Sequence, residues 1–167
     1  WQINHLGEQP DALKQHGFDE HCVWTGVEAG NEATNERYWN GHIMTNGNRK
    51  NALYGPDTIN SFLIDFVKRH RDQPFLVYYP MLLTHGPHTV TPLNKKESPE
   101  GKPALFAGNV TFMDQLVGRL VNAIDDYGLG ESTIIIFTGD NGSASPGILN
   151  GQPYPKGKGR KADWGAH

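Results

Sequence analysis

At 167 residues the chain is long enough for one domain with a hydrophobic core and too short for two comfortable ones. A formal charge of −3 argues against the basic face of a nucleic-acid binder, no apolar run approaches the roughly 20 residues that span a bilayer, and the single Cys22 excludes an internal disulfide framework. The 20 Gly and 11 Pro call instead for long, shaped loops between regular elements, the places where active sites often lie.

Residues 1 to 54 are polar, rich in Asn, Gly and His, and hold neither a 3.6 nor a 2 period, so they read as loops with short elements. Trp24, Tyr38 and Trp39, with Arg37 beside them, read first as anchors of a long loop and second as a stacking surface for a sugar ring. Gly55-Pro56-Asp57 opens a helix with Ile59, Phe62, Leu63, Phe66 and Val67 on one face, running to about Arg71 and ended by Pro74. Phe75 to Tyr79 is a continuous apolar run, as expected of a strand covered on both faces. A loop from Pro80 to about Pro103 follows. A second helix carries Val110, Met113, Leu116, Val117, Leu120, Val121 and Ile124 and ends near Gly128. Thr133 to Phe137 is the second expected strand.

Helix, strand, helix, strand predicts an α/β protein with a mainly parallel central sheet flanked by helices. In such a sheet the loops 80 to 88 and 138 to 143 leave the same carboxyl edge, where ligands bind.

Three polar clusters follow from this order. Asp140-Asn141 sits between Gly139 and Gly142, so the chain can turn there and aim a carboxylate and an amide oxygen at one hard cation, Ca²⁺ or Mg²⁺. Taken alone, this is also the composition of an ordinary turn. Thr84-His85-Gly86-Pro87-His88 cannot be a helical zinc pair, because Gly-Pro disfavours the helix, and a His at a cleft rim suits proton transfer or anion binding. Lys156-Gly157-Lys158-Gly159 lacks the Walker pattern but lets a Lys approach a sulfate or phosphate oxygen closely.

Together and in this order, these clusters resemble the sulfatase family. The resemblance rests on the Thr-His-x-Pro-His loop, on Phe112-Met113-Asp114-x-x-Val117-Gly118, on Phe137-Thr138-Gly139-Asp140-Asn141-Gly142, and on the later Gly-Lys-Gly. Gly17-Phe18-Asp19 and Trp1, which looks like the Trp of a Gly-Lys-Trp signature, extend it over nearly the whole chain. The resemblance implies a partial alkaline-phosphatase-like sandwich, with residues 1 to 167 as an incomplete catalytic domain. It implies Ca²⁺ ligands at Asp140 and Asn141, catalytic and substrate-binding roles for His85 and Lys158, and a substrate contact at His88. The family nucleophile, a formylglycine made from a Cys/Ser-x-Pro/Ala-x-Arg motif, is not matched, since Cys22 lies in His-Cys-Val-Trp. The chain departs from the family at Gln2, where the family often has His, with His5 as a substitute only if the loop carries an insertion. It departs again at Asp163-Trp164-Gly165-Ala166-His167, where the family often has Glu-Gly-Gly-x-Arg.

The expected reaction is hydrolysis of a sulfate ester, broadly of a sulfated carbohydrate, with a periplasmic or secreted location favoured by resemblance alone. The alternatives are a phosphoester or phosphonate hydrolase of the same superfamily and a non-catalytic carbohydrate-binding relative. The sequons Asn109-Val110-Thr111 and Asn141-Gly142-Ser143 would matter only in a eukaryotic secretory pathway. Oligomeric state is not legible in the sequence.

Overall fold

A polar hairpin, invisible to the periodicity above, organises the first third of the molecule. Asn46 and Gly47 both hold positive φ (47° and 82°), as a type I′ turn requires, and they join β2 (Trp39–Thr45) to β3 (Asn48–Tyr54). Strand β1 (Cys22–Trp24) pairs antiparallel on the other side of β2, giving the order β1-β2-β3. The Asn-Gly pair was the available signal. It was masked because β3 begins Asn-Arg-Lys-Asn, four exposed residues that break any alternation. The computed structural model describes residues 9, 11–28, 30–97, 99–143 and 146–157.

Tyr54 leads directly into α2 (Gly55–His70), with Pro56 in its first turn, where a missing N–H costs nothing. Ile59, Leu63 and Val67 are buried on its inner face, at the spacing expected of one apolar stripe. The long α3 (Lys102–Asp126) ends before Gly128, which holds φ 73°. Its most buried residues are Asn109, Phe112, Leu116, Ala123 and Ile124; Leu116 and Ile124 belong to the expected stripe, and Met113 and Leu120 of that stripe pack against the core half-buried. Val110, Met113 and Val117 also line a shallow groove with Phe137, so α3 is apolar on two sides. Two short elements, α1 (Ala12–Gln15) and a β4/β5 ribbon (Gly147–Leu149 with Gln152–Tyr154), complete the described structure. No described helix is long and apolar enough to cross a membrane.

The main core lies where α2, α3 and the antiparallel sheet meet, around Trp24, Tyr54, Leu63, Phe112 and Leu116. Tyr54 stacks edge-on against Phe112, with ring centroids 5.4 Å apart, tying hairpin to helix. Asn60, almost fully buried on α2, donates to the Leu116 carbonyl oxygen at 3.0 Å, and Arg119 of α3 pairs with Asp57 of α2 at 2.7 Å. A buried amide satisfied in this way locks the two helices in one register.

The two expected strands are not formed among the described residues. Neither 75–79 nor 133–137 carries a β-ladder among the described residues, and the sheets that do form are antiparallel. Residues 75–79 alternate: Phe75, Val77 and Tyr79 are half-buried, while Leu76 (82% exposed) and Tyr78 face outward. The run is covered on one face, not two. Ile134, Ile135, Ile136 and Phe137 are all exposed. The physical reason is that a strand is defined by its partner, and these apolar runs have no neighbouring strand to bond among the described residues.

Candidate functional site

The His85 loop follows directly from the 75–79 run. Leu82 and Leu83 are buried in the main core, so the chain is fixed immediately before Thr84-His85. Three consecutive residues at the start of β2 then grip it from the side. The Tyr38 hydroxyl lies on the carbonyl oxygens of Leu82, at 3.0 Å, and of His85. Trp39 donates its Nε1–H to the Val90 carbonyl oxygen at 2.8 Å. An Arg37 Nη1 lies 3.3 Å from His85 Nδ1. Burial pushes the Tyr38 phenol up to about 12, against a smaller opposing pull from Arg37, so this hydroxyl stays protonated as a donor. Helix α3 holds the far end of the loop: buried Asn109 donates to the Thr89 carbonyl oxygen at 2.7 Å.

His85 itself is exposed, and its Nδ1 lies 2.7 Å from the Gly86 carbonyl oxygen. A carbonyl only accepts, so Nδ1 carries the hydrogen in that contact. His88, half-buried, donates toward the Thr84 carbonyl oxygen at 3.2 Å and leans on Phe106 of α3 with centroids 5.0 Å apart. These contacts brace the loop across its own turn. Trp24, Tyr38 and Trp39, expected to anchor their own stretch, do lie in or against the core, and Tyr38 and Trp39 also hold the loop bearing His85.

Asp140 and Asn141 lie in a bend, the aspartate exposed and the asparagine half-buried, ahead of buried Gly142. Lys158 lies outside the described residues, as do Trp1, Gln2 and His5. Its neighbour Gly157 donates its backbone N–H to the Ser143 carbonyl oxygen at 3.0 Å, which brings residue 157 to the end of the Asp-Asn bend. The described contacts between this bend region and the His85 loop run through α3: Phe106 touches His88, and a Cβ at Gly147 would lie 3.7 Å from Phe106 Cε1.

Among the described residues no group of three or more His, Cys, Asp or Glu converges as a metal cage. Asp140 and Asn141 offer two hard oxygens, which fits a Ca²⁺ ion as part of a six- to eight-oxygen shell and not as the whole of one. Cys22 is a core residue, its thiol pushed up by burial and its sulfur accepting from Thr45 Oγ1 at 3.2 Å, so it is no candidate nucleophile. Asn109 of the first sequon is fully buried, with its amide nitrogen engaged on Thr89, and cannot carry a glycan in this fold.

The sulfatase family model matches residues 1–167, and the chain belongs to the sulfatase family. It is 38% identical over 79 residues to human arylsulfatase D, covering 47% of this chain and 13% of that protein. It is 31% identical over 104 residues to N-acetylgalactosamine-6-O-sulfatase of Bacteroides thetaiotaomicron, covering 59% of this chain and 19% of that protein. The chain thus spans less than a fifth of the length of either relative. The solved structure of Ps i-CgsB in complex with k-i-k-neocarrahexaose shares its fold, with a TM-score of 0.64 at 22% identity over 77% of this chain and 33% of that one.

Proposed function

We propose that the protein containing this chain hydrolyses sulfate esters of carbohydrates and that His85, Lys158, Asp140 and Asn141 are this chain's share of the active site. The observation that carries the reading is the family match across residues 1–167. Carbohydrate as the substrate class draws on the hexosamine sulfatase named among the relatives and on the oligosaccharide in the solved neighbour. The runs 75–79 and 133–137 would enter a mainly parallel sheet of the complete alkaline-phosphatase-like domain, which explains outward-facing Leu76, Ile134 and Ile136.

Asp140 and Asn141 would hold Ca²⁺, which supplies charge neutralisation for sulfate oxygens. Lys158 would hold a further sulfate oxygen as a compact cation. His85 would act on the leaving group. As a nucleophile from outside this chain, a hydrated formylglycine oxygen in the family pattern, bonds to sulfur, the S–O ester bond would break with its electron pair on the alcohol oxygen, and the Nε2–H of the His85 imidazolium would place a proton there. The Nδ1 contact with Gly86 is compatible with that role, because it leaves the opposite nitrogen as the donor. His88 would line the substrate side of the same loop.

In the full-length protein His85→Ala and Lys158→Ala should each lower kcat by about 10²- to 10³-fold, the scale of one lost electrostatic contact in a transition state. Asp140→Ala should lower bound calcium in metal analysis. Near-wild-type turnover of sulfate esters by His85→Ala, or unchanged calcium in Asp140→Ala, would remove the corresponding assignment.

A further inference from the structure

We propose that Tyr38 is a positioning residue for His85: its buried hydroxyl holds the His85 carbonyl oxygen and so fixes the backbone from which the imidazole projects toward the leaving oxygen. The inference rests on the leaving-group role given to His85 above.

The phenol is itself held in place. Tyr38 is 2% exposed, its ring stacks on that of Tyr54 with centroids 6.2 Å apart, and its carbonyl oxygen accepts the Gly55 N–H at 2.8 Å. Strand β2 and the start of α2 therefore set where the hydroxyl lies. Two carbonyl oxygens meet it there, those of Leu82 and His85, and a phenol has one hydrogen to give. The Leu82 carbonyl oxygen already accepts the His85 N–H at 3.0 Å across the turn. The phenolic hydrogen is thus left for the His85 carbonyl oxygen.

His85 is held by its N–H, by its carbonyl oxygen, and by the Nδ1–H that it donates to the Gly86 carbonyl oxygen at 2.7 Å. Three bonds on one residue set the direction of its Cα–Cβ bond and the tilt of its ring, which leaves Nε2 as the outward nitrogen of an exposed side chain. The Leu82 and Gly86 bonds are made within the loop. The bond from Tyr38 is the one of the three that comes from another element. Without that donor the carbonyl would turn toward water, and the imidazole would turn with it. Tyr54 supplies the contrast: its hydroxyl is also buried, yet has no hydrogen-bond partner among the described residues.

The test uses the full-length enzyme with two aryl sulfates that differ in leaving-group basicity, 4-nitrophenyl sulfate and 4-methoxyphenyl sulfate. The quantity read is kcat/KM, which covers the steps up to departure of the alcohol. Tyr38→Phe keeps the ring stack and removes one oxygen. A misdirected general acid matters most where the leaving oxygen needs a proton, so kcat/KM should fall about tenfold on the methoxy ester and roughly threefold or less on the nitro ester. In the His85→Ala background the same substitution should cost nothing more, because a positioning residue has nothing left to position. Tyr38→4-aminophenylalanine restores an N–H donor at the end of the ring and should recover most of the loss, which separates the missing donor from a loss of folding. Tyr54→Phe should leave both esters at wild-type rates. Equal losses on both esters, a further loss in the His85→Ala background, no recovery with the amino variant, or the same ester dependence in Tyr54→Phe would overturn the role of Tyr38 while leaving that of His85 intact. Wild-type turnover by His85→Ala would remove both.

Discussion

The two halves of the candidate site are supported very differently. The His85 loop is built into the core: Leu82 and Leu83 are buried before it, Tyr38 and Trp39 bond its backbone, and Asn109 holds its exit from α3. The Asp140-Asn141 bend follows a run of four exposed apolar residues, and one of its ties is the Gly157 to Ser143 hydrogen bond. The first loop gets its geometry from within this chain. The second follows a run with no strand paired beside it among the described residues, and its two oxygens fill only part of a Ca²⁺ shell.

That contrast can be broken most sharply at two phenylalanines. Phe112, fully buried among the hairpin and α2, should cost about 3–5 kcal/mol on replacement by Ala in chemical denaturation of this chain, whereas Phe137→Ala, on an exposed side chain, should stay within about 0.5 kcal/mol. Equal costs would mean that Phe137 is buried in solution. Next in size is Asn109→Asp, which sets a carboxylate against the Thr89 carbonyl oxygen in place of an amide donor; it should destabilise by about 1–3 kcal/mol and loosen the His85 loop, read as faster hydrogen exchange over residues 86 to 91.

Smaller still, Gly47→Ala must place a side chain at φ 82° in the β2–β3 turn and should cost about 1–2 kcal/mol in the same denaturation measurement. The smallest effect concerns acid. Hydrogen bonds from Arg69, reinforced by His70 and opposed by partial burial, hold the Glu20 carboxyl at about 2 against an ordinary 4.5. A carboxyl with a depressed folded value contributes stability that is fully present above 4.5 and lost as pH falls toward 2. Glu20→Gln should flatten that part of the stability–pH curve, and an unchanged slope would show that the Glu20–Arg69 contact, 2.7 Å long at the surface, adds nothing in solution.

The sequence by itself determined both long helices and the order of the polar clusters. Pro56 and the Ile59-Leu63-Val67 stripe marked α2, and Gly128 marked the end of α3, because a helix buries one stripe whatever surrounds it and its ends are set by local backbone chemistry. Local chemistry also made Asp140-Asn141 a turn between glycines. The sheet was not determined in this way. Phe75 to Tyr79 and Ile134 to Phe137 have strand composition, yet ladder formation depends on which backbone lies alongside, and the antiparallel sheet that does form uses the polar Trp39–Thr45 and Asn48–Tyr54 strands instead. Nor could sequence spacing place Arg37 on His85, 48 positions away. That contact exists because Trp24, Gly41 and Gly55 fix one guanidinium beside a loop that only packing brings there, and long-range packing is what a linear pattern does not encode position by position.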